Sequence, residues 1–162
     1  MTASQGSARQ GSAHHGSAHH GSAPRDSASY DWPTPPEAWP ESLRRDFAAR
    51  AGNGQVGTRL VSETERVRVW LLSLAPGERI GFHTHVLDYF WTAVTGGRAR
   101  SHYADGRVAE VTYAPGDTQH HRYAAGVFMI HDLENVGETE LVFTTVEFLD
   151  SANPPLRLDR AA

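Results

Sequence analysis

The sequence predicts an all-β fold, either a sandwich or a barrel. From residue 56 onward, short runs rich in β-branched and aromatic residues alternate with turns such as APGE at 75–78 and APGD at 114–117. The turn Ala104-Asp105-Gly106 lies between RARSHY and RVAEVTY and indicates a hairpin. No helical pattern separates these runs. Short strands at such intervals are typical of a sandwich or a barrel.

The individual strands follow from the composition of each run. In chain order we predict VRVWLLSL (67–74), RIGFHTH (79–85), DYFWTAV (88–94), the two hairpin strands, runs at 118–123 and 127–134, and the long final strand ELVFTTVEFL (140–149). One helix precedes them. Pro40, Glu41 and Ser42 open it, Leu43 and Phe47 form an i, i+4 apolar pair, and the glycines after residue 51 end it. It is expected to have about three turns.

The chain divides into four parts. Residues 1–30 contain a five-residue repeat (GSARQ, GSAHH, GSAHH, GSAPR), whose Gly, Ser and Ala bury too little apolar surface to offset the entropy of ordering. They are predicted to form a disordered low-complexity tail. Residues 31–55 form a Pro-rich extended segment followed by the helix, 56–150 the barrel, and 151–162 a C-terminal tail.

Composition narrows the possible functions. The net charge of −4 argues against a nucleic-acid partner and against an anionic membrane surface. The absence of Cys and of Lys excludes thiolate chemistry and Schiff bases, and leaves Arg as the only strongly basic side chain. There is no hydrophobic run of the kind found in signal peptides or membrane spans, so a cytoplasmic location is expected.

His83 and His85 form the strongest chemical signal. Residues i and i+2 of a strand project from one face, so both imidazoles can reach one ion at about 2.1 Å from each ring nitrogen. A third ligand must come from a strand that is distant in sequence but close in space. His131, on an apolar strand with Met129 and Leu133 on the same face, is the candidate.

Two segments resemble the two motifs of the cupin superfamily. GFHTHVLDYFWTAVTGG (81–97) has the Gly, His-x-His, acidic slot, strand and closing Gly of the first motif. The segment from Pro115-Gly116-Asp117 through Gly126, His131 and Asn135 is similar to the second. The resemblance covers about residues 60–150 and is nearest to small single-domain cupins of the β-alanine-degradation type. It implies a double-stranded β-helix (the cupin jelly-roll barrel), a metal held by the three histidines, and a homodimer.

The sequence departs from the first motif at its glutamate slot. Tyr89 occupies that slot, and Asp88 lies one residue earlier. The metal site is therefore either three histidines with open positions or three histidines with Asp88. Strand parity favours Tyr89 over Asp88 on the face of the histidines. We favour the three-histidine site, with Asp88 as an Asx-type acceptor in the turn.

Other candidates surround this site. Tyr89 is the candidate catalytic acid or base, the alternative being a packing aromatic. Trp91 shares its parity and either lines the pocket or packs in the core. Arg98 is a candidate clamp for an anionic substrate, the alternative being a solvated sheet face. At most one of His120 and His121 can face the interior; we assign His121 to substrate binding, the alternative being a rim position for both.

The cofactor expected is one divalent transition metal ion, which is Fe, Mn, Ni, Cu or Zn. An ion with open positions can polarise a carbonyl, activate water or bind dioxygen. The leading hypothesis is a metal-dependent enzyme that acts on a small polar organic acid, with dioxygenation as the first choice and isomerase or lyase chemistry next. The alternative is a non-catalytic sensor that binds a small molecule or a metal. A purely structural role comes third.

Overall fold

The computed structural model describes residues 30–158, so the predicted low-complexity tail, apart from Tyr30, lies outside the described residues. Within the described range there are one helix and nine strands: α1 (Glu41–Arg50), β1 (Arg59–Glu63), β2 (Val67–Leu74), β3 (Arg79–His85), β4 (Tyr89–Ala93), β5 (Gly97–His102), β6 (Val108–Tyr113), β7 (Thr118–His121), β8 (Met129–Asn135) and β9 (Leu141–Phe148). The predicted helix and the predicted strands are all present, and β1 is an additional short strand.

The strands form two antiparallel sheets. One has the order β1-β2-β9-β4-β7 and the other β3-β8-β5-β6. Strands that are neighbours in a sheet are mostly distant in sequence, as with β2 and β9, which pair along their whole length. The predicted hairpin is present, with β5 paired to β6. The fold is a double-stranded β-helix, as predicted.

The space between the sheets is filled by alternate residues of the facing strands. On β9, Leu141, Phe143, Thr145 and Glu147 are buried, while the residues between them are more exposed. This is the period of two expected of a strand with one face on a core. The interior cluster consists of Leu72, Leu74, Ala93, Ala99, Leu133, Leu141 and Phe143.

A second cluster lies outside the barrel, where α1 packs on β3. Phe47 of the helix and Phe82 of β3 are fully buried, and their rings meet edge to face at 5.0 Å. Trp39 stacks on Phe82 at 5.4 Å. The Pro-rich segment and the helix therefore cover the outer face of the smaller sheet, immediately behind the strands that carry the three histidines.

The terminal strands β6 and β7 face each other across a seam in the barrel wall. A groove of about 380 Å³ runs between them, lined on one side by Val111, Thr112 and Tyr113, and on the other by Thr118 and Gln119. We call it the seam groove. It leads inward to His131 and provides access to the barrel interior.

The described part of the predicted C-terminal tail is packed against the barrel. Asn153 is buried, and its amide donates to the carbonyl oxygens of Val86 at 2.9 Å and of Ala124 at 3.0 Å. It thereby ties the loop after β3 to the loop after β7. No helix among residues 30–158 is long and apolar enough to cross a bilayer.

Candidate metal centre

Three histidines converge inside the barrel. His83 and His85 lie on β3, and His131 lies directly opposite His83 on the neighbouring strand β8. The nitrogen atoms that the three rings offer as ligands lie within 4.8 Å of one another. The cluster forms because β3 supplies two residues of one face and β8 supplies the third at the same level of the sheet.

The ring nitrogens are oriented as a metal site requires. His83 Nδ1 lies 3.0 Å from the Gly81 carbonyl oxygen; as the donor there, it leaves Nε2 with a free lone pair. The Nε2 atoms of His85 and His131 are 3.1 Å apart. Two ligands at right angles on one ion, with bonds of about 2.1 Å, stand about 3.0 Å apart. The spacing of this pair therefore fits two bonds to a single ion.

Burial keeps the three imidazoles neutral. It lowers the pKa of His83, and it lowers the pKa of His85 and His131 well below the ordinary value, with the neighbouring histidines adding to the effect. The neutral ring is the form that binds a metal. The Nδ1 atoms of His85 and His131 are buried and have no hydrogen-bond partner within the described part of the chain. Three neutral nitrogen donors suit a first-row divalent ion, so the residues present fit the predicted group.

Asp88 lies outside this cluster. Its Oδ1 accepts a hydrogen bond of 2.9 Å from the backbone N–H of Tyr123, and its own N–H donates to Ser151 Oγ at 2.7 Å. Its carboxylate thus ties the turn before β4 to the segment after β7. We expected a local Asx-type acceptor, but the donor is 35 residues away. Among the described residues, the group of mutually close ligand atoms contains the three histidines without Asp88.

Tyr89 lies on the face of the histidines, where strand parity places it. Its ring is buried and stacks on His85 at 4.2 Å and on His121 at 4.6 Å. Burial raises the pKa of Tyr89 well above the ordinary value, so the hydroxyl stays protonated at neutral pH. His120, by contrast, points to the outer face and packs on Phe90. His121 is the one of the two that faces inward.

The structure brings Trp91 to the site but not Arg98. Trp91 borders the space beside the histidines and packs edge to face on Tyr113 and Phe143, each at 5.4 Å. It is therefore a lining residue and a core residue at once. Arg98 is exposed, and its guanidinium donates to the Val136 carbonyl at 3.1 Å. Because Ala99 takes the inward position on β5, Arg98 faces outward and cannot clamp a substrate in the barrel.

Two connected spaces adjoin the histidines. An inner cavity of about 70 Å³ touches all three rings, and its other walls are mostly apolar: Val56, Leu72, Tyr89, Trp91, Tyr113, Leu133, Phe143 and Thr145. The seam groove shares Tyr89, Trp91, Tyr113, His131 and Leu133 with it. A small molecule that enters through the groove therefore reaches the three histidines.

Glu147 is an interior carboxylate that we did not predict. It is buried, accepts a hydrogen bond of 2.7 Å from Trp70 Nε1, and pairs in register with Tyr89 of β4 and Arg68 of β2. Burial raises its pKa to about 7. The sequence contains a pattern that indicates this position. Glu147 has the same strand parity as the inward-facing Leu141 and Phe143, so its side chain is expected to face the interior.

Cupin-domain proteins are among the solved structures to which this chain is similar. One, from Bordetella pertussis Tohama I, is 24% identical, with 56% of this chain and 88% of that chain covered and a TM-score of 0.49. A protein from Klebsiella pneumoniae with a double-stranded β-helix domain is 25% identical, with 58% and 76% covered and a TM-score of 0.46. An oxalate decarboxylase of Bacillus subtilis is 26% identical, with 51% of this chain and 21% of that chain covered and a TM-score of 0.40.

No protein-family model and no curated protein matches this sequence. Because these TM-scores are below 0.5, no function is transferred from these proteins to this chain. The chemistry of the site is argued from the residues of this chain. The narrower likeness to cupins of the β-alanine-degradation type stays a prediction.

Proposed function

We propose that this protein is a metal-dependent enzyme of the cupin type that acts on a small organic acid. The observation that carries the proposal is the convergence of His83, His85 and His131 at the end of an accessible groove. Three neutral imidazoles, two of them buried and that of His131 half-buried, leave several positions of an ion open, whereas a purely structural site is closed by protein ligands. A site built only for stability would not need a groove that leads to it.

The histidines, the cavity walls and Tyr89 have different roles in the proposed reaction. The three histidines would hold the ion, which supplies a Lewis acid and open positions for a substrate oxygen, water or dioxygen. The apolar walls of the inner cavity exclude bulk water from the reacting atoms. Tyr89 lines that cavity and its hydroxyl stays protonated, so we assign it the donation of a hydrogen bond, or a proton, to an oxygen of the bound substrate.

Oxidative cleavage of the acid by dioxygen is our first choice of reaction, and isomerase or lyase chemistry is the second. Three neutral nitrogen ligands and adjacent open positions suit both. Glu147, on the interior face in register with Tyr89, is a buried carboxyl whose pKa is raised to about 7, although it lines neither of the two spaces beside the histidines. A location in the cytoplasm and the absence of a nucleic-acid partner stay predictions.

Metal content tests the site directly. We expect His83→Ala, His85→Ala and His131→Ala each to remove the stoichiometric metal, since loss of a ligand costs more than the tenfold to hundredfold typical of an outer-shell change. His120→Ala, on the outer face, is the matched control and should retain it. Elemental analysis after dialysis against a weak chelator measures both, because the histidines of the GSAHH repeats are expected to release their metal there. Full metal in His131→Ala would refute the proposed centre.

Activity is tested on the protein loaded with Fe(II), by oxygen consumption with a panel of small acids. We expect consumption with at least one acid, and its loss in Tyr89→Phe at unchanged metal content. If metal is bound at one ion per chain and no acid is turned over, with or without oxygen, the enzyme proposal fails. The alternative of a non-catalytic sensor then takes its place.

A further inference from the structure

The charge of the two spaces beside the histidines is unusual for a protein that acts on acids. No arginine within residues 30–158 lines the inner cavity or the seam groove, and the chain has no lysine. The guanidinium of Arg107 lies over the ring of Tyr103 at 3.6 Å, and Tyr103 lines the groove. Arg107 is not among the groove's lining residues and is exposed. Its charge nevertheless acts on His131, so a metal ion would be the positive charge within the described lining and Arg107 a second one outside it.

Among residues 30–158, no carboxylate belongs to the group of close ligand atoms that would balance the charge of that ion. Asp88 is held by the backbone of Tyr123, and Glu147 is absent from the lining of either space. Asp117 lines the seam groove, but from the exposed turn before β7, where its carboxylate accepts from the Ala114 N–H at 2.8 Å. Three neutral histidines leave a divalent ion uncompensated in an apolar cavity, which is unfavourable. One anionic group on the ligand would supply the missing charge.

The volumes of the two spaces fit a ligand with a small head group and a larger body. The inner cavity, at about 70 Å³, is about half of the roughly 150 Å³ that accepts a benzene ring. It therefore admits a small head group such as a carboxylate. The seam groove, at about 380 Å³, has room for the rest. Trp91, Tyr113, Leu133 and Met129 give it an apolar and aromatic part, beside the polar side chains of Thr112, Thr118 and Gln119.

We propose that the ligand of this site is a monocarboxylate with an apolar body, and that dicarboxylates are excluded. The single carboxylate binds at the three histidines, and the body lies in the seam groove against Trp91 and Tyr113. A second carboxylate would be desolvated in the groove, whose described lining holds no arginine to pair with it and does hold the Asp117 carboxylate. This proposal rests on the proposed function, because it requires a metal at the three histidines, and it replaces the polar acid and the Arg98 clamp that we expected from the sequence.

A matched set of five-carbon ligands tests the charge requirement. Valerate has one carboxylate, glutarate has two, and valeramide has none. With the full-length protein carrying one equivalent of Co(II), the visible cobalt spectrum reports ligands that reach the ion, and calorimetry gives their affinity. We expect valerate to bind at least tenfold tighter than glutarate and than valeramide. Glutarate or valeramide binding as tightly as valerate would overturn the proposal.

A change of charge in the groove gives a second test. Val111→Arg places a cation on the groove wall, whereas Val108→Arg places one on the same strand at an exposed position outside the groove lining. Val111→Arg is expected to raise glutarate affinity at least tenfold, and Val108→Arg to leave it unchanged. Equal effects of the two variants would overturn the assignment of the groove to the ligand body.

Failure of this inference is distinguishable from failure of the proposed function. His85→Ala should abolish both the cobalt spectrum of the buried site and its response to valerate. If wild-type protein and His85→Ala show the same spectrum, the ion is not in the barrel and the metal centre itself is wrong. If the spectrum requires His85 but responds equally to glutarate, the metal centre stands and the ligand class is wrong.

Discussion

Asp88 and Tyr89 are adjacent residues with opposite surroundings. The Asp88 carboxylate accepts a hydrogen bond from the backbone N–H of Tyr123, whereas the Tyr89 ring stacks on His85, one of the three clustered histidines. The difference arises because β4 begins at Tyr89, so strand parity applies to Tyr89 and not to the turn residue before it. Two neighbouring polar residues therefore have separable roles, one in holding a turn and one in the site.

Substitution of these two residues should separate stability from chemistry. Asp88→Asn keeps an oxygen that can accept from Tyr123, so we expect unchanged metal affinity and a loss of about 1 kcal/mol of unfolding free energy. Tyr89→Phe removes only the hydroxyl, and should also spare metal affinity while lowering turnover. Metal dissociation constants and melting temperatures measure the outcome. A large loss of affinity in Asp88→Asn, with the melting temperature of the apo form unchanged, would make Asp88 a ligand.

Glu147 should make stability fall as pH rises. Burial raises its folded-state pKa from 4.5 to about 7, so between these values the folded protein binds a proton that the unfolded chain has released. The unfolding free energy contributed by this group is therefore highest below about pH 4.5 and lower by about 3 kcal/mol above pH 7. Glu147→Gln stays neutral and still accepts from Trp70, so it should remove this loss.

The measurement is urea unfolding of wild type and Glu147→Gln at pH 5 and pH 8. The difference between the two proteins isolates this carboxyl from the other titrating groups. We expect the variant to be the more stable at pH 8 by up to about 3 kcal/mol, and the advantage to shrink at pH 5. An advantage that is the same at both pH values would contradict the assignment.

At the scale of elements, an ionic network fixes β8 from outside the barrel. Asp132, next to His131 but on the opposite face, is fully buried and accepts from Arg79 Nε at 2.6 Å and from the His102 N–H at 2.6 Å. Arg79 also reaches Asp46 of α1 at 2.8 Å. The network thus joins β3, β5, β8 and the helix at the level of the three histidines. Buried paired charges contribute little net stability but fix geometry, which is what ligand placement needs.

The sequence predicts the elements better than their long-range contacts. The bounds of β2 and the hairpin of β5 and β6 follow from local composition and from turn chemistry, both of which act within a few residues. The pair His83 and His85 follows from strand parity for the same reason. The donor to Asp88 and the surroundings of Glu147 lie on segments that meet only when the sheets form, so no local pattern specifies them.

At the scale of the whole molecule, the outer face of the larger sheet carries an apolar patch beside polar residues such as Thr144 and His120, whereas the outer face of the smaller sheet is covered. Helix α1 packs on β3 in the smaller sheet. On the larger sheet, six apolar residues of the three central strands are partly exposed, and the rings of Phe90 and Phe148 lie 6.1 Å apart. The six are Val69, Leu71, Phe90, Val142, Val146 and Phe148. We call these six the outer patch. None of them is ionisable, so the patch can meet its own copy without repulsion between like charges.

The homodimer expected from the sequence is therefore predicted to form through the outer patch. Val146→Arg would place a charge at the centre of the contact, because β9 is the middle strand of the sheet. Two such charges face each other across a two-fold interface, so the variant should be a monomer at concentrations where wild type is a dimer. Val127→Arg, at an exposed loop position outside the patch, is the control and should remain a dimer. Light scattering after size exclusion measures the mass, and a monomeric wild type, or a dimeric Val146→Arg, would show the prediction to be wrong.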